Sequence, residues 1–96
     1  MTAQATIVVL GSLNMDLLLR VPRAPEAGET LTGHSLALLP GGKGGNQAVS
    51  CARQGATVRH LGRIGRDADG RALAASLARD GLALAALQTA APAPTG

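Results

Sequence analysis

Two polar side chains that could bind a ligand follow the first predicted strand of this sequence. Asn14 and Asp16 lie just beyond the apolar run Thr6–Leu10, at the strand end where α/β proteins bind ligands. Residues two apart in an extended chain point the same way, so both can contact one molecule. A carboxylate accepts hydrogen bonds from adjacent hydroxyls, and an amide both donates and accepts. The pair fits a polyol, although Asn and Asp also cap local turns and the pattern leaves both readings open.

A glycine-rich segment at residues 41–45 (GGKGG) is the second candidate site. Four glycines around Lys43 would let a bound molecule approach main-chain N–H groups. The helix predicted to begin at Asn46 would direct its partially positive N-terminus at the same place. Lys43 adds a full charge, and Asn46 adds a donor and an acceptor. A flexible hinge is the alternative, but ordering so many glycines loses much backbone entropy, which favours a function.

Neither common nucleotide-binding motif is present around these glycines. A P-loop ending at Gly42 and Lys43 would need a glycine where Ala37 stands, and Ser or Thr where Gly44 stands. Gly11 follows the first strand without the further glycines of a dinucleotide fingerprint. The sequence therefore predicts no nucleotide site of either kind.

The elements that must position these residues alternate between strands and helices. The β-branched run Thr6–Leu10 predicts a strand buried between helical layers. Further strands are predicted over residues 57–61 and 82–88. Helices are predicted over 46–54, ended by Gly55, and from Asp67 or Asp69 to about Asp80, stopped by Gly81. Small apolar residues around Ala48 share one face of the first helix, and Leu73 and Leu77 lie one turn apart on the apolar face of the second. This alternation predicts an α/β fold, with a mostly parallel sheet flanked by helices.

Residues 16–40 interrupt that alternation. Apolar stretches at 17–21 and 31–39 are separated by Pro22, Pro25 and Gly28, which predicts short strands joined by turns rather than a crossover helix. At the other end, residues 90–96 are rich in Ala and Pro and contain no closing element. We therefore expect the 96 residues to be the incomplete, first part of a larger domain.

Composition excludes several classes of function. The chain has 46% hydrophobic and 16% charged residues, which predicts a folded protein rather than a disordered one. The net charge of +3 comes from scattered arginines, and no aromatic side chain is available for base stacking, so no nucleic-acid partner is expected. No apolar run could cross a membrane and no signal peptide is evident, so a cytoplasmic protein is expected. One cysteine excludes an internal disulfide, and His34 and His60 have no neighbouring ligands at metal spacing.

Three segments together resemble the N-terminal part of the ribokinase-like family of carbohydrate and nucleoside kinases. They are residues 11–16 (GSLNMD), 25–30 (PEAGET) and 41–48 (GGKGGNQA). Gly55, the GRD turn at 65–67 and Gly70 also fall where the family places its first signature and next helix. The co-occurrence of the first and third segments favours the branch that phosphorylates ribose, with a fructokinase or a nucleoside kinase as the alternative.

The resemblance implies ATP-dependent phosphorylation of a sugar's primary hydroxyl, here D-ribose to ribose 5-phosphate. It implies a ribokinase-like α/β fold in which residues 16–40 form a small β lid. By matching position, the sugar would be bound by Asn14, Asp16, Gly42, Lys43 and Asn46, with Asp16 holding a vicinal pair of hydroxyls. Complete members also use Mg²⁺ and a monovalent cation such as K⁺. Their lid strands often pair between subunits, so a homodimer is expected.

One family segment has no counterpart in these 96 residues. Complete members carry a later Gly-Ala-Gly-Asp type segment that supplies an anion hole and the catalytic base, beside the sites for ATP and cations. We therefore predict no catalytic, cofactor-binding or metal-binding residue, and expect the chain alone to be inactive. The alternative from another class is a non-catalytic fragment that binds a polyol or pairs with a partner.

Overall fold

The computed structural model describes residues 5–90 and 92–96 as an α/β protein. In chain order the elements are β1 (Thr6–Leu10), β2 (Asn14–Arg20), β3 (Ser35–Gly41), α1 (Lys43–Arg53), β4 (Thr57–Gly65), α2 (Ala68–Arg79) and β5 (Leu87–Ala90). The predicted fold class is confirmed. None of the helices in the described residues is both long enough and apolar enough to cross a membrane.

The main sheet has three parallel strands in the order β1-β4-β5. β1 pairs with the first half of β4 and β5 with its end, so β4 lies at the centre. Both crossovers run in the same direction, and their right-handedness places α1 and α2 on the same face. The C-terminal ends of the two helices are joined by an ion pair, in which Arg53 Nε lies 3.1 Å from Asp80 Oδ1. The opposite face of the sheet leaves Val8 and Leu10 60% and 81% exposed. The prediction that β1 is buried between helical layers is therefore wrong for that face, because both helices pack on the other one.

The core lies between the sheet and the two helices. Its buried apolar residues come from β1, β4, both helices, the β1–β2 turn and the segment after α2: Val9, Leu13, Ala48, Val58, Ile64, Leu73, Leu77 and Leu82. Ala48 is fully buried, and this small residue lets α1 approach the sheet closely. The predicted apolar faces of both helices are therefore confirmed.

Several element boundaries differ from the sequence prediction. β4 ends at Gly65 rather than at residue 61. α1 begins at Lys43 rather than at Asn46, because the glycines before Asn46 already form its first turn. The last strand begins at Leu87 rather than at residue 82. Leu82 instead enters the core directly after α2, and Ala83 makes an isolated bridge with Arg59. Burial of the leucine, rather than strand pairing, decides the path of this segment.

β2 and β3 form a separate antiparallel ribbon, as the short strands predicted in residues 16–40 require. The strands extend further than predicted, to Asn14 and Gly41 at the base of the ribbon. Residues at the base are buried or half-buried, and those beyond are exposed. In the connecting loop, Arg23 and Glu29 form a two-bond ion pair with N–O distances of 2.6 Å, and this pairing holds the pKa of Glu29 below its ordinary value.

Candidate functional site

Asn14 and Asp16 lie on one face of β2, at the base of the ribbon. In the antiparallel register Asn14 is paired with Gly41 and Asp16 with Leu39, so the Leu39 side chain lies on the same face of the ribbon as Asn14 and Asp16. Met15, between them, faces the other side of the ribbon. The predicted parallel orientation of the two polar side chains is therefore confirmed by the strand pairing.

The Asp16 carboxylate lies directly over the backbone of Gly41. A Cβ at Gly41 would stand 2.7 Å from Asp16 Cγ, so a larger residue there would displace the carboxylate. Gly41 is buried by this contact, whereas Asp16 remains exposed. The carboxylate thus packs against the Gly41 backbone and remains accessible from solvent.

Gly42 joins the end of the ribbon to α1 and lies against the β1–β2 turn. Its φ of 93° belongs to the left-handed region that favours glycine. A Cβ at this position would stand 2.6 Å from the Ser12 carbonyl oxygen and 3.0 Å from the Asn14 amide nitrogen. The structure therefore brings Gly42, from the junction of β3 and α1, beside Asn14 and Asp16 on β2.

Lys43 and Asn46 occupy the first turn of α1, immediately after Gly42. The Asn46 amide donates to the Gly42 carbonyl at 2.9 Å, and both side chains are exposed. The two residues are three positions apart, which places them on neighbouring positions of one helix face. The helix N-terminus and the Lys43 ammonium make this end of the site positive, which suits an electron-rich sugar oxygen or phosphate.

Packing, rather than a bound molecule, explains the glycines at 44 and 45. A Cβ at Gly44 would stand 2.5 Å from the Gly11 carbonyl carbon, and one at Gly45 would stand 2.9 Å from Leu13 Cδ2. The Gly45 amide donates to the Ser12 carbonyl at 3.0 Å. The prediction that these glycines expose their backbone to a ligand is therefore wrong for Gly44 and Gly45, because both face the turn before β2.

His60 is a residue whose part in this arrangement the sequence did not reveal. It lies on β4 with no exposed surface, and its Nε2 lies 3.0 Å from the Gly11 carbonyl oxygen. The tautomer that donates from Nε2 satisfies that carbonyl, and Nδ1 has no hydrogen-bond partner among the described residues. Thus β4 holds the turn that leads to Asn14. In the sequence, the position of His60 two residues after Val58 in the predicted strand is a weak signal that it faces the core.

Asp67 caps α2 and also binds the last residues of the chain. Its Oδ1 accepts from the Gly70 amide at 2.8 Å, which decides between the two predicted caps. Thr95 binds the same carboxylate through its hydroxyl and its amide. These hydrogen bonds, those from Thr95 first, hold the pKa of Asp67 below its ordinary value. The sequence predicted no contact for residues 90–96, because nothing local links Thr95 to a helix 28 residues earlier.

Comparison with known proteins decides the family. The family model for pfkB family carbohydrate kinases matches residues 4–96. This chain belongs to that family. The pfkB chain is 41% identical over 91 residues to the ribokinase of Haemophilus influenzae and 46% identical over 76 residues to that of Bacillus subtilis. These matches cover 95% and 79% of this chain, but only 30% and 26% of the lengths of the two relatives.

A solved structure matches the pfkB chain over almost its whole length. The ribokinase of Arabidopsis thaliana, complexed with ribose and ATP, superimposes with a TM-score of 0.84 at 35% sequence identity. The match covers 99% of this chain and 31% of that one. The sheet, the two helices and the ribbon therefore have the arrangement of a ribokinase fold.

The side chains of the described residues do not form a cluster of metal ligands. Within residues 5–90 and 92–96, no three His, Cys, Asp or Glu side chains lie together as a metal site. Within the glycine-rich segment, Gly44 is packed against Gly11 and Gly45 against Leu13. The groups at the base of the ribbon are hydrogen-bond donors and acceptors, which is the chemistry that suits a polyhydroxylated ligand.

Proposed function

We propose that this chain is the sugar-binding part of a ribokinase, which transfers a phosphoryl group from ATP to the primary hydroxyl of D-ribose. The observation that carries the proposal is the shared face of Asn14 and Asp16 beside Gly42, in a chain 41–46% identical to ribokinases. A furanose has vicinal hydroxyls, and a single carboxylate can accept hydrogen bonds from two of them at once. Asp16 is in place for this, since Gly41 leaves room beneath its carboxylate.

The remaining predicted residues would complete the binding of the sugar. Asn14 would accept from one hydroxyl and donate to a ring or hydroxyl oxygen. The backbone of Gly42 would lie close to the ring because it carries no side chain, while Lys43 and Asn46 would bind from the start of α1. Held in this way, the sugar loses the freedom that otherwise opposes transfer. We infer that ATP, Mg²⁺ and K⁺ are bound by residues beyond these 96.

The ribbon would act both as a lid over the sugar and as a subunit interface. Its face opposite Asp16 consists of Met15, Leu17, Leu19, Leu36, Leu38 and Pro40. The four leucines are 54–71% exposed, an arrangement that is unfavourable in water and typical of an interaction surface. We infer a cytoplasmic homodimer in which two such ribbons cover each other.

The direct test is phosphoryl transfer by the protein as its own cell produces it. We expect an intact mass several times 9.5 kDa and ATP-dependent formation of ribose 5-phosphate, detected by mass spectrometry. D-Fructose and a nucleoside serve as matched substrates, and turnover of either one faster than of ribose would reassign the enzyme within the family. A mass near 9.5 kDa without transfer would contradict the kinase and leave a polyol-binding protein.

A further inference from the structure

The carboxylate of Asp67 holds Thr95 through a closed set of hydrogen bonds. The Thr95 hydroxyl donates to Oδ1 at 2.6 Å, and the Thr95 amide donates to Oδ2 at 2.8 Å. The same hydroxyl oxygen accepts from the Gly65 amide at 2.8 Å. Every polar group of Thr95 that faces α2 is therefore engaged with the start of this helix or the end of β4.

Two glycines make the space in which this segment lies. A Cβ at Gly65 would stand 2.7 Å from the Pro94 carbonyl carbon and 2.8 Å from the Ala93 oxygen. A Cβ at Gly70 would stand 2.9 Å from the Thr95 hydroxyl oxygen. Both glycines are buried by these contacts. The end of β4 and the first turn of α2 are thus shaped to receive residues 93–95.

The segment held in this groove reaches the base of the ribbon. The Met15 amide donates to the Gly96 backbone oxygen at 2.7 Å, on the edge of β2 that faces away from β3. The Asn14 side-chain oxygen lies beside the same residue, 3.1 Å from where a Cβ on Gly96 would be. Gly96 therefore touches β2 between the two side chains proposed to bind the sugar.

We propose that Asp67 and Thr95 are positioning residues, which fix the start of β2, and with it Asn14 and Asp16, through Gly96. This inference rests on the proposed function in so far as Asn14 and Asp16 bind the sugar. A two-stranded ribbon is marginally stable by itself. The hydrogen bond from Met15 to Gly96 therefore matters for the direction in which the side chains at the base of the ribbon point. The attachment connects the N-terminus of α2 with the proposed site.

The substitution Asp67→Asn separates this positioning from helix capping. Asparagine is as good an N-cap as aspartate, so its oxygen can still accept from the Gly70 amide. Its side-chain nitrogen, however, is a donor and cannot accept from the Thr95 amide. Thr95→Val removes the hydroxyl with little change of shape, whereas Thr95→Ser keeps it. Asp80→Asn, at the other end of α2, is the matched control.

The measurement is amide hydrogen exchange at Met15, followed by NMR in the protein. We expect exchange to become about tenfold faster in Asp67→Asn and in Thr95→Val, corresponding to one lost hydrogen bond, with the core of α2 still protected. Thr95→Ser and Asp80→Asn should leave Met15 unchanged. Unchanged exchange at Met15 in both test variants, or an equal loss of protection throughout α2, would overturn the proposal.

A ribose titration of the same samples connects the attachment with the site. We expect D-ribose to shift the side-chain amide resonance of Asn14, with about fivefold weaker affinity in Asp67→Asn and Thr95→Val and recovery in Thr95→Ser. Equal affinity in all variants would overturn a positioning effect on the sugar. No ribose binding by the unsubstituted protein would contradict the proposed function instead, while Met15 exchange would still report whether Asp67 and Thr95 hold β2.

Discussion

Asp16 is the residue on which we expect sugar binding to depend most, because its charged carboxylate can accept from two hydroxyls at once. We predict that Asp16→Ala weakens ribose binding about 10–100-fold, since a hydrogen bond to a charged group contributes about 1.5–3 kcal/mol. Isothermal titration measures this directly. Asp69→Ala, which removes a carboxylate in the first turn of α2, serves as control and should bind normally. Normal binding by Asp16→Ala would remove Asp16 from the site.

His60 is the residue from which we expect the largest effect on stability. It is fully buried and its Nε2 satisfies the Gly11 carbonyl, so His60→Ala creates a cavity and leaves a carbonyl unpaired. We predict a free energy of unfolding lower by about 2–4 kcal/mol, measured by urea denaturation. His34→Ala, at an exposed position, should change it by less than about 0.5 kcal/mol. Similar values for both variants would show that the His60 contact is unimportant.

Among the secondary-structure elements, α1 has a first turn that packs closely against the β1–β2 turn. Gly44→Ala would add a methyl group 2.5–2.6 Å from the backbone of Gly11, so either α1 or the β1–β2 turn must move. We predict a loss of about 1–3 kcal/mol in stability, the usual effect of overpacking, together with weaker ribose binding. Ser50→Ala, on the exposed face of the same helix, should be neutral or slightly stabilising. A neutral Gly44→Ala would mean that this contact is loose.

The N-terminus of α2 should make stability depend on pH. The pKa of Asp67 is lowered in the folded protein by Thr95 and Gly70, with a smaller contribution from the positive charge of Arg71. Its stabilising effect is therefore present above the unfolded-state pKa of about 3.9, and is lost as the pH falls through the lower folded value.

We predict that stability below about pH 4 falls less steeply in Asp67→Asn than in the unsubstituted protein. Thermal unfolding followed by circular dichroism between about pH 2 and pH 6 measures the two slopes. Asp69→Asn controls for the removal of a carboxylate from the same turn. Equal slopes for Asp67→Asn and the unsubstituted protein would contradict the hydrogen bonding of Asp67 in solution.

At the scale of the whole molecule, the exposed leucines of the ribbon should control association. Leu38→Lys places a charge at the centre of the apolar face, opposite Leu17 in the register. We predict that it converts a dimer to a monomer in sedimentation velocity, because burying an unpaired charge is strongly unfavourable. Ala78→Lys, on the exposed side of α2, should remain dimeric. A monomeric unsubstituted protein would contradict the proposed ribbon interface.

Local patterns in the sequence were sufficient for the elements and for part of the site. Periodicity and capping rules depend on residues close together in the chain. They predicted the strand at Thr6–Leu10, the apolar helix faces around Ala48 and Leu73, and the capping residue Asp67. The spacing of Asn14 and Asp16 likewise predicted a shared face. The motifs at 11–16 and 41–48 pointed to the family to which the chain belongs.

Tertiary structure alone decided which groups meet across long separations. Three contacts join residues 28–49 positions apart: Gly44 with Gly11, His60 with the Gly11 carbonyl, and Thr95 with Asp67. No local period or cap encodes such pairs, because they depend on how the sheet brings its strands and turns together. The sequence by itself determined the fold family and the shared face of Asn14 and Asp16. The packed chain determined which groups surround them.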